Sequence, residues 1–266
     1  MTKEIRAFID FLEELLRKKL DWDRLGEYLD NQEQVFQIWW EINELRKARP
    51  GPMHSRDFWT IMVPCLYMSS EKESLEGYRA VYREVKARVD AGIGAVAEEK
   101  YRLMFSQLPP YHSLDFFDQL AEKGWNFVCE SPSYHPPPPI ELEGTSDPVE
   151  RIARWTYWWR IYHGWHAAKK GYPRLGYPQP AYNYSREYNV DGFMAHHLIS
   201  CRTATFWLTH SMNVLRERLG VPGMNMEGDI VDLTVFNPAT VLNMVEPFMD
   251  IMDHYREQRR SMGLDW

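Results

Sequence analysis

The chain has 266 residues, enough for one large domain or two small ones and for a sizeable core. Its formal charge of −7 argues against nucleic acid as a partner, and no apolar run approaches the roughly 18 residues of a membrane helix. Hydrophobic residues at 44% and charged residues at 26% exclude wholesale disorder, and 14% aromatics demand a large aromatic core or an aromatic pocket. Met1 to Leu20 is charged and amphipathic, unlike a signal peptide. Cys65, Cys129 and Cys201 are too few for a disulfide framework, so a reducing cytoplasm is expected.

The first hundred residues read as helical. Ile5, Phe8, Ile9, Leu12, Leu15 and Leu16 recur at three and four. Asp21 or Asp23 caps a second helix, which Pro50-Gly51-Pro52 stops. A third segment starts near Ser55 or Asp57 and is interrupted by Pro64; a fourth runs from about Glu71 to Ala91. The pattern then changes. Tyr101 to Gln107 reads as a buried strand, Ser113 to Lys123 as a helix and Trp125 to Cys129 as a strand. Four consecutive prolines, Pro136 to Pro139, make 131–144 a loop. Asp147 to Lys170 reads as an aromatic helix and Tyr172 to Tyr184 as a loop. A strand over Val190 to His196, a helix over Arg202 to Leu219 and a strand over Gly223 to Glu227 follow. Pro238 opens a last helix to about 261, with a kink expected at Pro247.

Strand–helix alternation with short connections predicts parallel strands and right-handed crossovers. The expected fold class is α/β: a helical arm over 1–95, then a four-stranded, doubly wound parallel domain of Rossmann or flavodoxin type over 96–266. Ligands in such sheets bind outside the carboxyl ends of the strands. Here those ends are Gln107-Leu108-Pro109, Cys129-Glu130-Ser131, His196 to Cys201 and Glu227 to Asp229.

Several residues at those ends carry reactive groups. Cys201 falls where strand gives way to helix, and the helix N-terminus and Arg202 would favour its thiolate; the alternative is a small buried hydrophobe. His196 and His197 are adjacent on a strand, so one at most faces a common site. With Cys201 and Asp229, His196 suggests a zinc hydrolase, but no CxxC or HExxH spacing accompanies it. Glu227, Asp229 and Asp232 offer general acid/base chemistry or, alternatively, loop capping. In RWTYWWRIYHGWHAAKK, Trp155, Trp158 or Trp159, Tyr162 and His166 share a helical face, as pocket or as core. There is no GxGxxG after a strand, no GxxxxGK[ST] and no GxSxG, so nucleotide-phosphate loops and the serine-hydrolase elbow lack support.

Three stretches carry a family resemblance over most of the chain: EIRAFIDFLEELL with DWDRLGEYLDN, then EEKYRLMFSQLPPYHSLDFFDQLAEKGWNFVCES, then YNVDGFMAHHLISCRTATFWLTHSMNVLRERLGVPGMNMEGDIVDL. They resemble the benzoyl-CoA reductase / 2-hydroxyglutaryl-CoA dehydratase family, most of all the C-terminal part of its benzoyl-CoA reductase B subunits. The resemblance implies a subunit for low-potential reduction or dehydration of an acyl-CoA. It implies a [4Fe-4S] cluster with Cys201 as a ligand, a sister subunit, and a separate ATP-dependent electron-donating activator. Ser200 and Arg202 would orient and charge the site, with Asp229 beside them. Trp155, Trp159, Tyr162, His166 and His196 would surround the acyl group. Family subunits carry a further N-terminal α/β domain with two cluster cysteines, which has no counterpart in this sequence. Val241-Leu242-Asn243 stand where the family tends to place an arginine. A non-catalytic assembly or binding subunit that has lost the cluster is the alternative expectation.

Overall fold

The structure, a computed structural model, describes residues 1–130, 134–140, 145–264 and 266. The predicted proline loop therefore lies partly outside the described residues. Four helices come first: α1 (Thr2–Leu16), α2 (Trp22–Leu45), α3 (Ser55–Tyr67) and α4 (Lys72–Ala91). Then follow β1 (Tyr101–Ser106), α5 (Asp115–Glu122), β2 (Trp125–Glu130), α6 (Pro148–Lys170) and α7 (Gln179–Glu187). β3 (Gly192–Leu198), α8 (Arg202–Thr205), α9 (Leu208–Leu219), β4 (Gly223–Gly228), α10 (Pro238–Leu242) and α11 (Val245–Ser261) complete the chain. The strands form one parallel sheet in the order β2-β1-β3-β4, so the α/β, doubly wound expectation holds. The strand order reverses between β1 and β3, which puts the crevice for a ligand at their carboxyl ends. No helix among the described residues is long and apolar enough to cross a membrane.

Helix boundaries differ from the sequence expectation at four prolines or aromatics. Pro64 lies inside α3, which continues to Tyr67. α7 starts inside the loop expected over 172–184 and runs past its end. Pro180 sits in its first turn, where a missing N–H costs nothing, and Gln179 donates to Asn183 one turn on at 2.9 Å. The helix expected from Arg202 to Leu219 breaks at Phe206-Trp207 into α8 and α9. The last helix breaks at Asn243-Met244, not at Pro247, which instead occupies the first turn of α11.

The sheet's two faces bury separate cores. Leu103, Phe105, Trp125, Phe127 and Met194 face a cluster that includes Trp39, Phe58 and Trp59 of the N-terminal helices and Phe248 and Met252 of α11. That cluster unites residues from both sides of position 95. Met104, Phe193 and Ala195 face α7 and α9 through Tyr182, Leu208 and Leu215. Strand alternation breaks once. Leu103 pairs with Phe127 but Met104 pairs with Cys129, so Val128 is bulged. Val128 and Cys129 both face the α7–α9 side, and Glu130 returns to the side of α2 and α3.

There Glu130 meets Arg46, at the end of α2, in a bidentate pair of 2.6 and 2.7 Å with both side chains fully buried. Ser55 of α3 also donates to Glu130, and His135 lies 3.3 Å away. Burial alone would raise the Glu130 pKa; Arg46 and His135 outweigh it and hold the carboxylate low. The Arg46 guanidinium stacks over Phe58.

Removing one partner of such a pair strands a buried charge, at a cost of about 3–5 kcal/mol. Arg46→Met is expected to lower stability in urea by that amount, and Arg46→Met with Glu130→Leu to recover most of it. Equal losses in the single and double variants would contradict this.

Candidate functional site

The carboxyl ends of β1, β3 and β4 are laced together by side chains. Asp229, just past β4, is 1% exposed and accepts from Ser200 N at 2.6 Å and Ser200 Oγ at 2.9 Å. It also accepts from Val231 N at 2.8 Å and Asp232 N at 3.3 Å. The Val231 N–H, then the Ser200 hydroxyl and N–H, hold its carboxyl far below the usual range. Asp229 is thus a permanent anion with its lone pairs occupied. It fixes the β3–α8 turn to the loop after β4 and is not available to donate a proton near neutral pH. Ser200 is its partner in that clamp.

Cys201 follows directly and is exposed. Its N–H donates to Leu198 O at 3.1 Å, and its carbonyl accepts from Ala204 N at 3.1 Å. The helix it precedes is only the four residues of α8, so the long helix dipole expected from the sequence is not aimed at it. Arg202 is exposed beside it.

His196 lies beneath this surface at 0% exposure. Burial depresses its pKa to about 4, so the ring is neutral. Its Nδ1 is 2.6 Å from Leu108 O, and a carbonyl only accepts, so Nδ1 carries the proton. Nε2 is left without a partner, over Gly228, where any Cβ would collide with it. His197 points the other way, to Asn225 Oδ1 at 3.0 Å, as strand alternation requires. Among the described residues no three His, Cys, Asp or Glu side chains are grouped to hold a metal ion, and the zinc arrangement of His196, Cys201 and Asp229 is not formed.

The aromatic helix α6 divides into two parts. Trp155 stacks on Phe36 of α2 at 5.0 Å and Trp159 meets the same ring edge-on at 5.8 Å. Both also line an open cavity of about 560 Å³ with Arg160, His163, Tyr177 and Pro180. Tyr177 packs edge-on against Phe206 at 5.9 Å, and Phe206, 66% exposed, lies five residues after Cys201. Tyr177 therefore brings this cavity to Phe206, whose N–H donates to the carbonyl of Arg202 beside Cys201 at 2.9 Å. Tyr162 and His166 lie further along α6. Tyr162 is buried, and His166 hydrogen-bonds Glu187, which Lys47 also reaches at 3.0 Å. Burial would raise Glu187; His166 and Lys47 outweigh it and hold it at about 2.

Three contributors have roles that sequence reasoning does not assign, one of them at a strand end it does name. Gln107, buried at φ 72°, directly follows β1 and donates to Ala204 O of α8 at 2.7 Å. Tyr177 and Phe206 sit in segments that read as plain loop and helix. Only the Gln-Leu-Pro-Pro run after an apolar strand hints at the first; nothing local marks the other two.

A whole [4Fe-4S] cluster needs four ligands, and the residues present do not fit one. Cys65 and Cys129 are fully buried, one in each of the two cores, and burial pushes both thiols up. Cys201 alone is presented to solvent. A thiol reagent is expected to modify one cysteine per native chain and none in Cys201→Ala, against the full 3 in denaturant. Reaction of two thiols in the native chain would contradict this burial.

Acid sensitivity follows from the histidines. Burial lowers His196 to about 4 and His163 to about 3. Their folded pKa values lie below the unfolded value, so the stability of the neutral rings is present at pH 7.5 and lost as pH falls below about 6.5. At pH 5 each costs about 2 kcal/mol. The urea midpoint is expected to fall steadily from pH 7.5 to 5, before the carboxylates begin to titrate. A flat profile over that interval would refute it.

The family model described as 2-hydroxyglutaryl-CoA dehydratase, D-component, matches residues 1–252. Lactoyl-CoA dehydratase subunit alpha of Anaerotignum propionicum is 22% identical over 254 residues, covering 95% of this chain and 58% of the relative. The benzoyl-CoA reductase B subunit of Thauera aromatica is 24% identical, covering 96% and 62% respectively. (R)-2-hydroxyglutaryl-CoA dehydratase subunit alpha of Acidaminococcus fermentans is 22% identical, covering 97% and 52%. The chain thus spans between 52% and 62% of the length of these curated relatives. With its model matched from residue 1 to 252, the chain belongs to the 2-hydroxyglutaryl-CoA dehydratase D-component family.

Proposed function

We propose that this chain holds the acyl end of a CoA thioester at the carboxyl edge of its sheet, as part of a reductase or dehydratase assembly. The observation that carries the reading is the aromatic cavity of Trp155, Trp159 and Tyr177, joined through Phe206 to the turn that presents Cys201. Flat aromatic walls suit an apolar acyl group. The exposed Ile199, Phe206, Val231 and Leu233 leave this edge apolar and uncovered, which fits closure by a second body such as a sister subunit. Asp229 and Ser200 position the turn, and Arg202 adds a positive charge beside the thiol. Tyr162 and His166 support the far side of the acyl helix, and His196 braces the sheet edge from below.

In this reading Cys201 gives one thiolate to an iron–sulfur cluster whose other ligands come from outside these residues. Reduction would come from an ATP-dependent activator. Three free cysteines support a cytoplasmic setting. The burial of two of the three cysteines favours a second reading, an assembly or binding subunit without a cluster.

Two measurements separate these outcomes. Titration with benzoyl-CoA and with CoA is expected to show tighter binding of the thioester, and Trp159→Ala to remove about tenfold of it, roughly 1.4 kcal/mol. Equal affinity for CoA and thioester would defeat the acyl-site assignment. Anaerobic co-purification with the neighbouring gene products, followed by iron and sulfide analysis, decides the cluster. Iron lost in Cys201→Ala supports ligation by this chain; a stable, colourless, iron-free complex establishes the second reading.

A further inference from the structure

The edge of the sheet opposite Cys201 carries a second concave site. At the amino ends of β1 and β3, a cavity of about 220 Å³ is walled by Arg49, Arg102, Arg256 and Arg259, with Glu99 and Asp191 as the acids among its lining residues. Lys100 and Arg260 also line it. The acids are shared. Asp191 takes Arg256 at 2.8 Å and Arg259 at 2.5 Å, and Glu99 takes Arg102 at 2.7 Å. The Arg49 side chain forms no hydrogen bond or ion pair with these acids or with any other described residue. Over its lining, the guanidiniums of Arg49, Arg102, Arg256, Arg259 and Arg260 and the Lys100 ammonium outnumber the two carboxylates, although Asp253 also pairs with Arg256 at 3.2 Å, so the concavity is strongly positive.

The guanidinium groups are also fixed in place. Arg256 lies over the Tyr101 ring at 4.4 Å and donates to Lys100 O. Arg259 lies over the Trp266 ring at 5.3 Å, donates to Gly220 O at 2.9 Å and is 1% exposed. Stacking occupies their faces; Arg256 spends most of its N–H edge on Asp191, Lys100 O and Asp253 and keeps one Nη1 hydrogen, whereas Arg259 keeps its Nε–H and one hydrogen on each Nη. Like charges crowded together repel, and burial sharpens this: burial, with Arg256 and Arg49 nearby, lowers the Arg259 pKa despite Asp191. Such an arrangement is stabilised by an anion of matching charge.

We propose that this cavity binds a phosphate dianion, free or at the end of a small ester, with Arg49, Arg256 and Arg259 donating to its oxygens. A dianion answers the excess of positive charge, and its tetrahedral oxygens suit guanidinium forks approaching from several sides. Nothing in this site depends on the acyl-CoA reading, since it lies at the other end of the strands.

The test uses the full chain and inorganic phosphate at pH 7.5, with ionic strength held constant by sodium chloride. Calorimetry is expected to show one saturable site, and phosphate to raise the thermal midpoint. Arg49→Gln is expected to weaken phosphate at least tenfold while leaving the midpoint in phosphate-free buffer unchanged or higher. Arg49→Lys is expected to recover part of the affinity. Glycerol 3-phosphate competing more tightly than phosphate assigns an ester as the ligand; weaker competition assigns the free anion. Protection no greater than that of chloride overturns the proposal, as does unaltered phosphate affinity in Arg49→Gln.

Discussion

The buried pair of Arg46 and Glu130 holds the two ends of this architecture together. The N-terminal helices could pack as an independent arm beside the sheet. Instead α2 ends in a guanidinium that enters the core and meets the last residue of β2. Two charges removed from water tolerate little freedom, because any loosening exposes each to an uncompensated environment. The pair therefore sets the angle of α2 and, through Ser55, that of α3. Trp39, Phe58 and Trp59 then fill the face of the sheet as part of its own core.

That anchoring has a functional counterpart at the other strand ends. Trp155 and Trp159 of α6 rest on Phe36 of α2, so the wall of the aromatic cavity inherits its position from the same helix. The turn bearing Cys201 is held differently, by Asp229, by Gln107 and by its own short hydrogen bonds. One side of the candidate site is thus placed by aromatic packing and the other by polar locks. Packing tolerates small adjustments to an apolar guest, whereas charge-assisted hydrogen bonds fix a reactive atom.

Much of this is legible in the sequence. Patterning locates the four strands of the described sheet: β1, β2 and β3 read as short, largely apolar runs between turn residues, and β4 as alternating methionines between glycines. Asp21, Asp147 and Pro238 mark helix starts through local chemistry that needs no tertiary information. Strand ends point to Ser200, Cys201 and Asp229; Ser200 and Cys201 share the β3–α8 turn, and Asp229 is hydrogen-bonded to it from the loop after β4. The misses have separate causes. Pro180 and Pro247 fall in first turns, where proline's missing N–H costs nothing, while Pro64 stands inside α3, which continues past it to Tyr67. His196 looks like a surface ligand because sequence shows alternation but not depth. Tyr177 and Phe206 meet only through the packing of α7 and α8 near the sheet edge, a relation that no local pattern encodes.

The bulge at Val128 bears on how this chain can vary. Without it, Glu130 would project to the α7–α9 face, away from Arg46, and the α2 guanidinium would be left alone in an apolar core. β2 can therefore accept exchanges of side chain, but not a gain or loss of one residue. A single-codon deletion there would give a more regular ladder and a broken protein. In related chains the spacing between Trp125 and Glu130 should be kept more strictly than the residues that fill it.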